Sequence, residues 1–266
     1  AMIDAMRYWV DTAGIDGFRC DMAHLVPLDF WVEARRALDV IKPLYWLAEC
    51  EDLAYHQVFD TSYAWAWMHA SKKVGQEVDG LQELYHVLHQ YAQYPKGAHK
   101  LFFTSNHDEN SWNGTEYEKY GVAAKAWAVF TQTWNGQPLM YSGQELPNQK
   151  RLAFFDKDPI QWTSETPRLH EFYKTLMTAR KQFPVLHSGN IFNLPTDVAV
   201  MAYIKQHEGQ TALVILNLSA HRQHVQIAHE AFTGKFTNIF SGLSFEFNGN
   251  SHFEMMPGEY IVYVKV

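Results

Sequence analysis

Residues 13–27 read "AGIDGFRCDMAHLVP", and the fold turns on how this stretch is understood. A glycine closes a helical segment, and a short apolar run then ends in Arg19, Cys20 and Asp21. Two charges at the end of a buried strand must pair or do chemistry, because an isolated charge away from water is costly. The two-residue period of a strand puts Arg19 and Asp21 on one face and Cys20 on the other.

Upstream, "AMIDAMRYWVDTAG" spaces Met2, Met6, Trp9 and Val10 along one helix face with no capping residue before them, so the chain reads as entering in mid-helix. Downstream, "LDFWVEARRALDVI" has the pattern of an amphipathic helix and "PLYWLAEC" that of a second buried strand. Three further apolar runs, "YHQVFDTSYAW", "HKLFFTSNHD" and "QPLMYSGQE", turn polar at their C-terminal ends. Helical stretches such as "LQELYHVLHQYA" and "YGVAAKAWAVFTQTW" lie between them, which predicts βα units on parallel strands. After a helix expected over "TPRLHEFYKTLMTARKQF" the spacing shortens, and "VAVMAYIKQ", "TALVILNLS", "RQHVQIA" and "GEYIVYVKV" read as alternating strands joined by turns. The expected organisation is an α/β domain over residues 1–187 and a small antiparallel β-sandwich over 188–266.

Composition narrows the function. The 266 residues are 47% hydrophobic and 15% aromatic, enough for one sizeable core and a smaller one. A net charge of -7 without a Lys/Arg cluster argues against nucleic acid or an anionic membrane as partner. No stretch approaches the roughly 18 apolar residues of a membrane span. Cys20 and Cys50 fit no metal motif and are expected to be buried free thiols pointing toward the helices. The sequence assigns no compartment.

In parallel α/β architectures chemistry collects at the C-terminal ends of the strands. Arg19 and Asp21 end the first strand, Glu49 the second, and Asn106, His107 and Asp108 the fourth. Three carboxylates, an arginine and a histidine are thereby expected on one mouth. Tyr63, Trp65 and Trp112 are candidates for stacking on flat apolar ligand faces, while the charges in "YEKYG" and "FDKDP" read as solvated loop charges.

On these residues, "GFRCDMAH", "WLAEC" and "FTSNHDEN" resemble three short sequence regions of the α-amylase family of glycoside hydrolases, family 13, and "PLMYSGQE" resembles the segment on that family's last barrel strand. The resemblance covers essentially the whole chain and implies the C-terminal portion, strands four to eight, of a TIM-type (β/α)8 barrel followed by the family's β domain. It also implies roles: Asp21 as nucleophile, Glu49 as general acid/base, Asp108 as the third carboxylate, Arg19 as the charge that keeps Asp21 ionised, and His107 as a contact to the sugar beside the scissile bond. Retaining cleavage needs two carboxyls roughly 5 to 5.5 Å apart. Neighbouring parallel strands, about 4.8 Å apart, provide that spacing.

His24 and Leu25 stand where many members carry Lys-His, which leaves His24 as a candidate contact on the acceptor side. The implied activity is hydrolysis of α-glucosidic links in starch-like α-glucans. A transglycosylase, isomerase or α-glucosidase, and a non-catalytic carbohydrate-binding relative, are the alternatives. No cofactor is indicated, apart from calcium in a full-length protein, whose ligands are expected mostly outside this chain. The first three barrel strands are missing from the pattern. The chain is therefore expected to be part of a longer protein, with an N-terminal segment or self-association covering its open edge.

Overall fold

The structure is a computed structural model that describes residues 1–74, 77, 80–162, 168–196 and 199–266. Helix α1 (Met2–Ala13) buries Met6 and Val10, one turn apart, and stops at Gly14, whose left-handed backbone (φ 68°) suits a residue without a Cβ. Strand β1 (Gly17–Cys20) leads to helix α2 (Leu28–Leu38), which starts after Pro27 and turns Trp31, Ala34 and Leu38 inward. Strands β2 (Tyr45–Ala48) and β3 (Thr61–Tyr63) follow, then helices α3 (Trp65–Ser71) and α4 (Gly80–Ala92) and strand β4 (His99–Phe102). Short helices α5 (Glu109–Trp112) and α6 (Glu116–Tyr120), helix α7 (Ala124–Thr133), strand β5 (Gln137–Pro138) and helix α8 (His170–Gln182) complete this part.

Strands β1 to β5 form one parallel sheet in sequence order, the arrangement that successive βα units give. The strands are shorter than the apolar runs that announced them. In "YHQVFDTSYAW" only Thr61–Tyr63 is extended: Leu53–Gln57 coils as a 3-10 turn and Trp65 already belongs to α3. The start of the helix expected from residue 166, and residue 198 at the start of a later expected strand, lie outside the described residues.

The second part is an antiparallel sheet of strands β6 (Asn190–Leu194), β7 (Val200–His207), β8 (Gln210–Asn217), β9 (Gln223–Asn238), β10 (Ser244–Met255) and β11 (Tyr260–Lys265), ordered β10-β9-β11-β8-β7-β6. The two apolar layers arise within this one hydrogen-bonded sheet. Val225, Ile227 and Phe232 of β9 and Met255 of β10 pack against Ala202, Ile204, Leu213 and Ile215 of β7 and β8.

The opposite face of β7, β8 and β11 joins the core of the first part. Met201, Tyr203, Val214 and Val262 lie in one cluster with Trp67, Phe102, Trp127 and Phe130. Polar ties cross the same contact: Tyr203 Oη and Thr133 Oγ1 are 2.6 Å apart, and the fully buried Lys205 donates to the Thr133 carbonyl at 2.8 Å. A separate cluster under β1 and β2 holds Cys20 and Cys50 with Met6, Val10, Trp31 and Trp46, so both cysteines sit on the helix side, and both are free thiols. Among the described residues no helix is long and apolar enough to cross a membrane.

Candidate active site

The site is built by register. Cys20 pairs with Ala48 and Ala48 with Ser62, so the next residues, Asp21, Glu49 and Tyr63, stand level on three adjacent strand ends. The Arg19 guanidinium lies across this row. Nη1 donates to Asp21 Oδ1, Nη2 lies 2.9 Å from Glu49 Oε1, and Nε lies 3.3 Å from the Tyr63 hydroxyl. Assigning Arg19 to Asp21 alone was incomplete, because one guanidinium serves both carboxylates. Its planar fork of donors allows this, where a lysine offers only a point charge.

Glu49 is 7% exposed, and both of its oxygens are engaged. Oε1 meets Arg19, and Oε2 accepts the backbone N–H of Met22 at 2.9 Å. Met22 has a left-handed backbone, φ 40° and ψ 46°. A non-glycine residue there costs on the order of 1–2 kcal/mol and persists only when its surroundings hold it. The Glu49 carboxylate supplies one such hold, and the bend sets the direction of Asp21 immediately before it. Asp21 has a 76% exposed side chain. Its carboxyl is held below the ordinary range, chiefly by the hydrogen bond from Arg19, with the Arg19 charge, a hydrogen bond with Glu49 and the charge of His107 acting in the same direction.

The end of β4 completes the mouth. Asn106, almost wholly buried, caps the turn that follows: its Oδ1 accepts the N–H groups of Asp108 at 3.0 Å and Glu109 at 2.7 Å. Its Nδ2 is buried without a partner. Asp108 and His107 are joined at 3.3 Å between Oδ2 and Nε2.

His24 is exposed and, with Met22, Glu49, Cys50, Glu51, Asp52 and Trp65, lines an open groove of about 460 Å3 beside the carboxylates. Tyr63 does not suit the stacking role expected of it. It is 3% exposed, and its ring packs on Trp65 and Phe103 at 5.5 Å each, with the Arg19 guanidinium 5.7 Å from the ring centroid and bonded to the hydroxyl. Trp65 borders the groove, and Trp112 is exposed.

Several supporting residues escape sequence reasoning. Glu51 accepts the Ala66 N–H at the start of α3 and the Tyr91 hydroxyl of α4, fastening the loop that carries Glu49. Lys100 sits between the Tyr91 and Tyr94 rings at 4.6 and 4.4 Å, where burial lowers its pKa to about 8 although Glu51 opposes the shift. Gln144, in the segment after β5, donates to Thr104 at 2.8 Å and to the buried Glu116 at 2.6 Å, tying the ends of β4 and β5 together.

Lys119 corrects the reading of "YEKYG" as solvated charge, because it is buried and paired with Glu109 at 3.3 Å. Its neighbour Glu118 does lie at the surface, paired with Arg151. Among the described residues no group of three or more His, Cys, Asp or Glu could hold a metal ion. A larger cavity, about 720 Å3, lies between α8 and strands β9 and β11, away from every carboxylate of the mouth.

Residues 1–165 match the model of the alpha amylase catalytic domain, and residues 192–262 match that of the maltogenic amylase C-terminal domain. An alpha-amylase of Haloarcula japonica, MalA, is 28% identical over 82% of this chain and 33% of its own length. A cyclomaltodextrinase of Geobacillus thermopakistaniensis is 26% identical over 92% of this chain and 44% of its own length. The solved structure of a noncanonic maltogenic alpha-amylase, AmyB from Thermotoga neapolitana, superposes with a TM-score of 0.87 at 27% identity, covering 100% of this chain and 64% of that one. The chain thus spans less than half the length of these curated relatives.

Proposed function

The chain belongs to the α-amylase family, and from that premise we propose that it carries the catalytic carboxylates of a retaining glycoside hydrolase acting on the α-glucosidic bonds of starch-like α-glucans. The observation that carries this reading is the placement of Asp21 and Glu49 level on adjacent strand ends under a single guanidinium. The names of the relatives, an alpha-amylase, a maltogenic alpha-amylase and a cyclomaltodextrinase, support α-glucan as the substrate class. The barrel part occupies residues 1–187 in this proposal and the β domain residues 188–266.

The chemistry then runs in two displacements. Asp21, exposed and kept ionised by Arg19, attacks the anomeric carbon while Glu49 gives its proton to the departing glycosidic oxygen. The glycosyl ester on Asp21 is next attacked by a water whose proton returns to Glu49, restoring both carboxyls. Asp108, partnered by His107, binds sugar hydroxyls and supports the positive charge that develops on the sugar ring. The Tyr63 hydroxyl steadies Arg19, which contacts both carboxylates, and the Met22 N–H holds Glu49 directly.

The test is to take the natural full-length protein containing these residues and follow maltooligosaccharide hydrolysis by NMR. Products released first as the α-anomer support the proposal. Release of the β-anomer, or no hydrolysis of any α-glucan, overturns it.

A further inference from the structure

One buried cluster is left unused by the carboxylate chemistry. Lys100 of β4 is buried on the α4 side of the sheet, where the rings of Tyr91 and Tyr94 close on its ammonium. The same two tyrosines grip Glu51. Tyr91 Oη donates to its carboxylate, and Tyr94 Oη donates to its backbone carbonyl at 3.2 Å. Lys100 Nζ stands 3.9 Å from Glu51 Oε1 and donates to Ser62 Oγ at 2.9 Å.

An ammonium taken out of water is costly unless it is paired. Here one carboxylate and two ring faces offset the cost. The link from this cluster to the mouth is short. Glu51 lies two residues beyond Glu49, and the Cys50 carbonyl between them accepts the Tyr63 N–H at 3.1 Å. Glu51 also accepts the Ala66 N–H at 2.9 Å at the start of α3. Glu49 is thus carried on a loop whose far end is clamped, and the clamp is charged. Strands β2, β3 and β4 are the inner strands of the five-stranded sheet, so the cluster stands apart from the edge strands β1 and β5.

We propose that Lys100 is a positioning residue for cleavage of the glycosidic bond: acting through Glu51, its ammonium steadies the loop that presents Glu49 to the departing oxygen. The inference rests on the proposed function and adds to it a control by charge. Titratable groups face Lys100 from several elements: Glu51 and Cys50 after β2, His56 across Ser62, and Tyr91 and Tyr94 at the end of α4. Behind them, Asp52 acts on Cys50 and Tyr94, and Asp60 and His99 act on His56. Burial pushes Cys50 up to about 11, lifts both tyrosines and pushes His56 down. These four stay neutral while Lys100 loses its proton at about 8. Above that pH the two rings and Glu51 lose the cation they hold, and the clamp loosens. A catalytic group displaced by about 1 Å can lose about 100-fold in rate.

The experiment measures kcat and KM on maltoheptaose from pH 5 to pH 10 for the full-length protein and for its Lys100→Met variant, at a temperature where both are folded. The ratio of the two kcat values is the readout, because the ionisations of Asp21 and Glu49 are common to both and cancel. The expected ratio is about tenfold below pH 7 and falls toward one above pH 9, with KM little changed. A ratio that does not vary with pH would make Lys100 a packing residue only and overturn the inference. A ratio of one throughout, or a loss confined to KM, would overturn it too. If Lys100→Met does not fold, Glu51→Gln keeps the shape and removes the charge that faces Lys100. Its ratio to the natural protein is expected to fall likewise as pH rises through 8, and a flat ratio would overturn the inference equally. A natural protein that cleaves no α-glucan at any pH would overturn the proposed function and this inference together. Cleavage with a flat ratio would overturn the inference alone.

Discussion

Arg19 and Glu49 are joined across two neighbouring parallel strands, Nη2 to Oε1, at 2.9 Å, while the same guanidinium also holds Asp21. The pair of carboxyls proposed to cleave the glycosidic bond therefore shares one counter-charge. Replacing Arg19 by Met removes the hydrogen bond and charge that hold the Asp21 carboxyl low. Its pKa rises, so the ionised nucleophile is lost at a higher pH than before. The acid limb of the kcat/KM profile of the full-length protein is expected to move upward. An unmoved limb would show that Asp21 does not govern it.

Glu49→Gln and Asp21→Asn should each lower starch hydrolysis by about 10²–10⁴-fold. The two differ in one respect. A substrate with a good leaving group needs little protonation, so Glu49→Gln should recover much of its rate on an activated aryl glycoside, and Asp21→Asn should not. Equal residual rates of Glu49→Gln on activated and natural substrates would contradict the assignment.

The cysteines offer a test of burial. Desolvation pushes Cys50 up to about 11 and Cys20 up to about 12, and the thiolate is the form that reacts. Neither should react with an aromatic disulfide reagent at pH 8 in the folded chain, and both should do so after unfolding without a reductant. Rapid labelling of the folded protein would place a cysteine outside the core.

Much of the site was legible because it follows from a simple rule: apolar strands that turn charged at their C-terminal ends converge on one mouth. That rule placed Asp21, Glu49 and Asp108. Lateral register decides what each touches, and register is not written in any one strand, so the sharing of Arg19 between two carboxylates and the level position of Tyr63 stayed hidden. Tyr63 looked like a platform because Tyr at a strand end often is one, and only the packing of Trp65 and Phe103 shows otherwise. Strand β10 was not anticipated: Asn248, Gly249 and Asn250 interrupt its apolar pattern and form an irregularity inside a continuous strand paired with β9.

Lys205 is buried with its pKa lowered to about 6, mostly by desolvation and further by Arg180. In the unfolded chain it titrates near 10.4. Between those values the unfolded state binds the extra proton, so stability from this group rises as pH rises through the window and is lost as pH falls toward 6. Relative to a Lys205→Met variant, the natural chain should gain in melting temperature from pH 6 to pH 10. A constant difference across that range would mean that Lys205 stays equally protonated in both states.

Gly258 has a left-handed backbone (φ 65°), and a Cβ there would run into the Val122 carbonyl. Gly258→Ala combines backbone strain with that clash and is expected to destabilise the fold by about 2 kcal/mol or more. Chemical denaturation would measure it, and a change under 0.5 kcal/mol would show that the turn relaxes freely.

The apolar cluster that runs from Trp67 and Phe130 through to Met201, Tyr203 and Val262 belongs to neither part alone. Each part is the other's wall. A recombination event that exchanged the β domain for a foreign one would have to carry the facing surfaces of α7 and β7 with it, so the two should be inherited as a unit. The boundary that looks like a natural seam in the sequence is thus a poor place to cut, and heating should melt both sides together rather than in turn.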